Sequence, residues 1–291
     1  MHLTEPPRTV PLALRISLLF GGTLNTIGWV FFGFGGVFVW MFAMHGDYSF
    51  FTFSGPTLET TGVIVRSERT STSEGGSDSR PGTPIYANYF KYEADGVEFE
   101  SVSYATGRSL EPGRKAEVEF LANKPREARI KGMRRALFPP FVAFVVIFPL
   151  IGLAFILARL RNAVKSIRLL HIGRSSTGTL RSKIPTNVSI NNQPVFRMTF
   201  DFMTAEGRKG EVVVRTHETT QLEDEENERL IYDPYDLQNG ITFDDLPGNT
   251  RIDAAGNFYT GLYLSTMGSL VLPLATLGGH GWWIYINYFA P

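Results

Sequence analysis

Three long apolar segments cut this chain into parts that suit a bilayer and parts that suit water. Residues 16–44 and 136–158 hold no charged side chain, and 261–291 holds a single side chain that titrates near neutrality, His280. At about 1.5 Å rise per residue, each is long enough to cross an apolar layer of roughly 30 Å as a helix. The expectation is an integral membrane protein with crossings at 16–44, 136–158 and 261–289. Two polar stretches, 57–133 and 173–253, lie between them, preceded by an N-terminal tail, 1–15.

Whole-chain composition hides this division, because 28 basic and 28 acidic residues balance over 291 positions. Each polar stretch is long enough for one small domain. There is no cysteine, which excludes disulfides, thiolate zinc sites and cysteine nucleophiles. Residues 57–133 carry eleven Lys and Arg against twelve Asp and Glu, and 171–253 carry nine against fourteen. Neither is the basic surface that nucleic-acid binding requires.

The first apolar segment runs well past the roughly 7 to 15 apolar residues of a signal peptide, so it reads as a retained anchor. Arg8 and Arg15 precede it, whereas 45–65 has neither Lys nor Arg. Basic flanks stay on the cytoplasmic side. This bias predicts a cytoplasmic N-terminus, an outer first module and an inner second module, in the plasma membrane. The flanks of 136–158 are basic on both sides, so that segment casts no vote. A dip and return is its rival reading, given Pro139, Pro140 and Pro149. Residues 159–172 alternate basic positions with Leu160, Val164, Ile167 and Leu170, the pattern of a basic amphipathic helix on an anionic leaflet that stops at Gly173. Glycines at 21, 22, 28, 33, 35 and 36 suit close helix packing within the chain, against a second copy or against another membrane protein. Trp282, Trp283, Tyr285 and Tyr288 read as an interfacial belt, with His280 near that interface.

The two polar stretches repeat one another. Pro84 to Tyr92 aligns without a gap on Pro194 to Phe202, setting Tyr86, Phe90 and Tyr92 opposite Phe196, Phe200 and Phe202. Even spacing puts these rings on one face of a strand. Asp95-Gly96 offers a tight hairpin turn, and Glu206-Gly207 holds the matching place. Thr61-Gly62-Val63 matches Thr177-Gly178-Thr179, and 116–121 matches 228–233. Each module therefore reads as about five short antiparallel strands in a small barrel or sandwich, related by duplication, with its longest loops at Ser67–Thr83 and Ile184–Gln193.

With these features on view, the chain resembles membrane proteins of the domain-of-unknown-function 3592 type. The likeness rests on Thr61-Gly62, the Tyr86–Tyr92 strand, the Asp95-Gly96 hairpin, the strand opening Gly113-Arg114-Lys115-Ala116, and Tyr232-Asp233-Pro234. It implies fold and membrane attachment, and no activity.

Catalytic and metal sites find little support in the sequence. His217 ends a strand without a paired motif, and His280 offers a proton-relay position within an apolar segment. Glu223, Asp224, Glu225 and Glu226 form the densest charge run but lack the alternation and glycine of a calcium loop. They read as a solvated loop, with a basic protein partner as the next option. No cofactor is expected. The sequence thus points to a non-enzymatic interaction or scaffold protein, with an accessory subunit of a transporter or channel as the second reading.

Overall fold

The computed structural model describes residues 3–223, 226–260 and 263–290. Around the aromatic strand of the first polar stretch lies a five-stranded antiparallel sheet. Its strands are β1 (Thr57–Glu74), β2 (Thr83–Ala94), β3 (Val97–Thr106), β4 (Lys115–Leu121) and β5 (Lys124–Ile130), in the order β3-β2-β1-β4-β5. The second stretch gives β6 (Arg174–Ile190), β7 (Gln193–Met203), β8 (Lys209–Thr216), β9 (Glu228–Asp233) and β10 (Asp236–Thr242), in the order β10-β9-β6-β7-β8. Read from the other end, this is the same order, so β6 to β10 take the places of β1 to β5.

The repeat extends to individual rungs. Ile64 faces Phe90 as Leu180 faces Phe200, and Gly62 faces Ala116 as Gly178 faces Glu228. Both bulges recur: the register shifts between Ile64 and Arg66 and between Leu180 and Ser182, then between Arg69 and Ser73 and between Pro185 and Ser189. Phe120 faces Ala128 as Tyr232 faces Gly240. Bulges bend a strand and re-aim its side chains, so shared bulges give both sheets the same local bends. In each, the two outermost strands come together. The Ile130 N–H donates to Ser103 Oγ at 2.9 Å, and a side chain on Gly240 would strike Val212 Cγ2 at 2.4 Å.

Inward rings fill both cores. Phe90 and Tyr92 pack with Ile64, Val118 and Phe120, and Phe200 and Phe202 pack with Val212, Leu230 and Tyr232. Tyr86 and Phe196, nearer the bulges, are half-buried. Asp95 and Gly96 both take positive φ, +52° and +77°, the pair of left-handed conformations that closes a two-residue hairpin. The matching turn holds one residue more, with the Gly207 N–H donating to Thr204 O and φ +75° at Gly207.

The long loops expected at Ser67–Thr83 and Ile184–Gln193 are instead two-stranded ribbons. β1 pairs with β2 as far as Glu74 opposite Thr83, and β6 with β7 as far as Ile190 opposite Gln193. Thr70 and Thr186 send their hydroxyls across to Ile85 O and Val195 O, which fastens these polar stretches as strands. The turns themselves are short, residues 75–82 and 191–192.

Contacts divide the chain into two units, Phe34–Pro149 and Met1–Gly33 with Leu150–Pro291. The helices are α1 (Leu12–Phe20), α2 (Thr23–Met41), α3 (Ser49–Thr52), α4 (Ile147–Ile172), α5 (Tyr263–Gly268) and α6 (Val271–Tyr288). Within Phe34–Pro149, the first sheet is accompanied by the end of α2, where the rings of Phe42 and Phe138 sit 5.2 Å apart. Within the other unit, Leu3, Val10, Leu14 and Leu18 pack with Ala163, Leu169, Leu170 and Ile231. The N-terminal segment is therefore a packed arm and not a tail. Its Arg8 is buried, donates to Gly173 O at 2.6 Å and also bonds Thr4 O.

Two helical stretches, Thr23–His45 and Pro140–Ile172, are long and apolar enough to cross a membrane, with mean hydropathy of 1.8 and 2.9. Their most apolar windows are 22% and 17% buried, so the apolar side chains face outward. The first segment breaks at Gly21–Gly22, which separates α1 from α2. The second contains no reversal. Residues 159–172 continue helix α4 without a break, and Gly173 follows its last residue at a position where a side chain would meet Leu169 O at 2.3 Å. The third splits into α5 and α6, and Pro273, His280, Asn287 and three glycines leave α6 less apolar than the other two.

Glycines let α2 and α4 approach. A side chain on Gly152 would sit 2.4 Å from Phe32 N and 2.6 Å from Gly28 O. His280 lies midway along α6, its Nε2 3.2 Å from Gly33 O and its ring edge-on to Phe32 at 6.3 Å. Gly33 is near the middle of α2, so His280 meets the centre of that helix and not an end.

Candidate interaction site

Strands β6, β7 and β8 turn alternate side chains away from the core, as the period of two requires. On that outer face Arg181 bridges two acids. Its Nη1 lies 3.0 Å from Asp201 Oδ1 and its Nη2 2.8 Å from Glu211 Oε2. Thr177, Thr179, Met203 and Lys209 continue the face, and Asn227, just before β9, with Leu237 and Gln238 of β10 supplies a rim. Together they line an open concavity of about 830 Å³, into which Phe202 and Gly210 also reach.

The shape has a cause one residue wide. In the first sheet Tyr92 faces Phe99 and the two rings stack 5.7 Å apart. In the second, Phe202 faces Gly210, and the Phe202 ring leans into the space a side chain would take, with Cζ 2.4 Å from that position. One ring stands where the first sheet has two. The aromatic ring across the rung covers the bare glycine and forms part of the concavity's floor. The outer charges differ as well. Lys91 pairs with Glu98 at 2.8 Å, whereas the matching residues Asp201 and Lys209 stand apart and Asp201 binds Arg181 instead.

The Tyr232-Asp233-Pro234 ending fixes the rim. Asp233 accepts from Arg168 Nε at 2.8 Å and from the Tyr235 N–H at 2.9 Å. Burial pushes this carboxyl up, but the Arg168 guanidinium and the amides of Tyr235 and Asp236 outweigh it and hold it below the usual carboxylate range. Arg208 donates to Pro234 O at 3.1 Å, tying the β7–β8 turn to the same corner.

The residues singled out from sequence do not converge. His217 lies 3.9 Å from Glu218 at the end of β8. Glu223 pairs with Lys183 at 2.7 Å, which holds its carboxyl below the usual range, and Glu226 is exposed. Asp224 and Glu225 lie outside the described residues. His280 belongs to the α2–α6 contact. Among the described residues no three His, Asp or Glu side chains come together as metal ligands. Sequence reasoning did not find Gly210. Extending the repeat alignment three residues past the hairpin, from Gly96 and Gly207, would have set it against Phe99.

No family model matches the chain, and no curated protein matches it. A solved structure described as "Structure and Conformational Change of a Replication Protein A Heterotrimer Bound to ssDNA" aligns at 11% identity over 80% of this chain and 53% of that one, with a TM-score of 0.16. The chain spans about half the length of that structure, and so low a score carries no weight for fold or partner.

Proposed function

We propose that this is a membrane-anchored, non-enzymatic interaction protein that presents one copy of a small β-barrel on each side of the plasma membrane. Three crossings, at α2, α4 and α6, fit the apolar segments. The strand order, with the outermost strands brought together, fits a five-stranded Greek-key barrel of the oligonucleotide/oligosaccharide-binding type. The resemblance to the 3592-type membrane proteins points the same way. Basic flanks favour a cytoplasmic N-terminus. The packing of Leu3, Val10 and Leu14 with Ile231 supports the N-terminal arm and the second module sharing that side.

The observation that carries the interaction reading is the exchange of Phe99 for Gly210 within an otherwise repeated register. It lays the Phe202 ring over the bare rung beneath a rim of paired charges, which suits an extended protein segment packing an apolar side chain into the concavity beside that ring. Excess acid in the second module favours a basic segment.

The test uses a photo-crosslinking residue at Gln238 in native membranes, with the matching Arg126 as control. A discrete adduct is expected from Gln238 and not from Arg126, and Met203→Lys, at an exposed position in the concavity, should abolish it by setting a positive charge against a basic segment while leaving the protein folded. Equal adducts from both positions, or an adduct that survives Met203→Lys, would refute the reading. A second reading, an accessory subunit of a transporter or channel, draws on Gly278, Gly279 and Gly281 of α6, where added side chains would meet nothing within 4 Å. That open strip suits a further helix.

A further inference from the structure

Helix α2 begins at a break in the chain. α1 ends at Phe20, and Gly22 turns into α2 with φ +91°, a conformation that favours glycine. The first amides of this 19-residue helix therefore start at a bend, where they carry the positive end of its dipole. A cavity of about 370 Å³ lies against them, lined by Ser17, Gly22, Thr26, Trp29, Ser265 and Ser269 among others. That volume is within the range of small-molecule sites, about 300 to 1,000 Å³.

One donor that lines this cavity, on Trp29, and one beside its Gly22 wall, on Arg159, lack acceptors among the described residues. Trp29 is 8% exposed, and its Nε1–H is buried without a partner. The Arg159 guanidinium lies over Gly22, with atoms 3.6 to 3.8 Å from where a side chain would start, and its Nε–H is buried without a partner. Indole N–H and guanidinium groups only donate, so neither can serve the other. A buried donor left unpaired is costly. No Asp or Glu lines the cavity. A cation is disfavoured there, whereas an anion with several acceptor oxygens would meet both donors and the helix N-terminus at once.

We infer that this cavity binds a phosphate group through Arg159, the Trp29 indole N–H and the first amides of α2. The phosphate comes from an anionic phospholipid headgroup or from free phosphate, which share this chemistry. Lys165, on the same helix as Arg159, adds to the attraction for an anionic leaflet. The site is separate from the concavity of the second sheet, so it stands whether or not that surface binds a partner.

Thermal unfolding of the full chain in phosphatidylcholine nanodiscs tests it, with phosphatidylglycerol mixed into the discs in one arm and inorganic phosphate added in the other. A rise in midpoint with phosphatidylglycerol alone identifies a lipid headgroup, and a rise with inorganic phosphate identifies free phosphate. Either rise should be lost in Arg159→Gln, reduced in Trp29→Phe, which keeps the ring and removes the donor, and kept in Arg161→Gln. If Arg159→Gln does not fold, Trp29→Phe against Arg161→Gln decides. No rise in either arm, or a rise that Trp29→Phe leaves unchanged, overturns the assignment.

Discussion

The two sheets share a backbone plan and diverge at single side chains. Both bulges, the shared β4–β5 and β9–β10 rungs and the strand order agree. Yet Asn88 and Met198, which occupy the same place, do different work. In the first sheet Asn88 is fully buried and accepts from the Leu110 N–H at 2.9 Å while donating to Arg108 O at 3.2 Å, pinning the β3–β4 connection. In the second, Met198 fills that place with apolar contact alone. Phe99 and Gly210 diverge in the same way. Pairing is set by turns, bulges and alternating rings, so it survives exchanges that reshape a surface.

Truncating the central ring tests whether the cores are equivalent. Phe90→Ala and Phe200→Ala should each cost about 3 to 5 kcal/mol in urea unfolding, since both rings are fully buried. A cost in one sheet alone would break the equivalence. A smaller effect comes from exchanging the polar anchor. Asn88→Met should destabilise the first sheet by about 1 to 3 kcal/mol by leaving the Leu110 N–H unpaired, while Met198→Leu should cost under about 1.5 kcal/mol.

The smallest effect is pH-dependent. Asp233 has Leu121 as its counterpart, so this position is acid-sensitive only in the second sheet. Its folded carboxyl is depressed below the unfolded value. The stability it contributes is therefore complete above the ordinary carboxylate range and is lost as pH falls through the folded value. Asp233→Asn should flatten that part of the acid unfolding curve. An unchanged acid limb would show that the Arg168 contact does not stabilise the sheet.

Much of this plan is legible in the chain because its signals are local. The even spacing of Tyr86, Phe90 and Tyr92, the Asp95-Gly96 turn and the stop at Gly173 each follow from one or a few residues. The ribbons were missed because Ser, Thr and Gly in 67–83 signal turns, while cross-strand pairing with β2 decides that they extend. The packing of Arg8 and Leu3 depends on partners far along the chain, at Gly173 and Phe258, which no local pattern announces. The concavity was missed for a related reason, since Gly210 gains meaning only opposite Phe202.

The central claim is that the two copies face opposite solvents, and cysteine accessibility tests it most directly because the chain has no cysteine of its own. Ser79 and Glu226 are both exposed. In intact cells, a membrane-impermeant maleimide should label Ser79→Cys at once and Glu226→Cys only after permeabilisation. Labelling of both from the same side would contradict it.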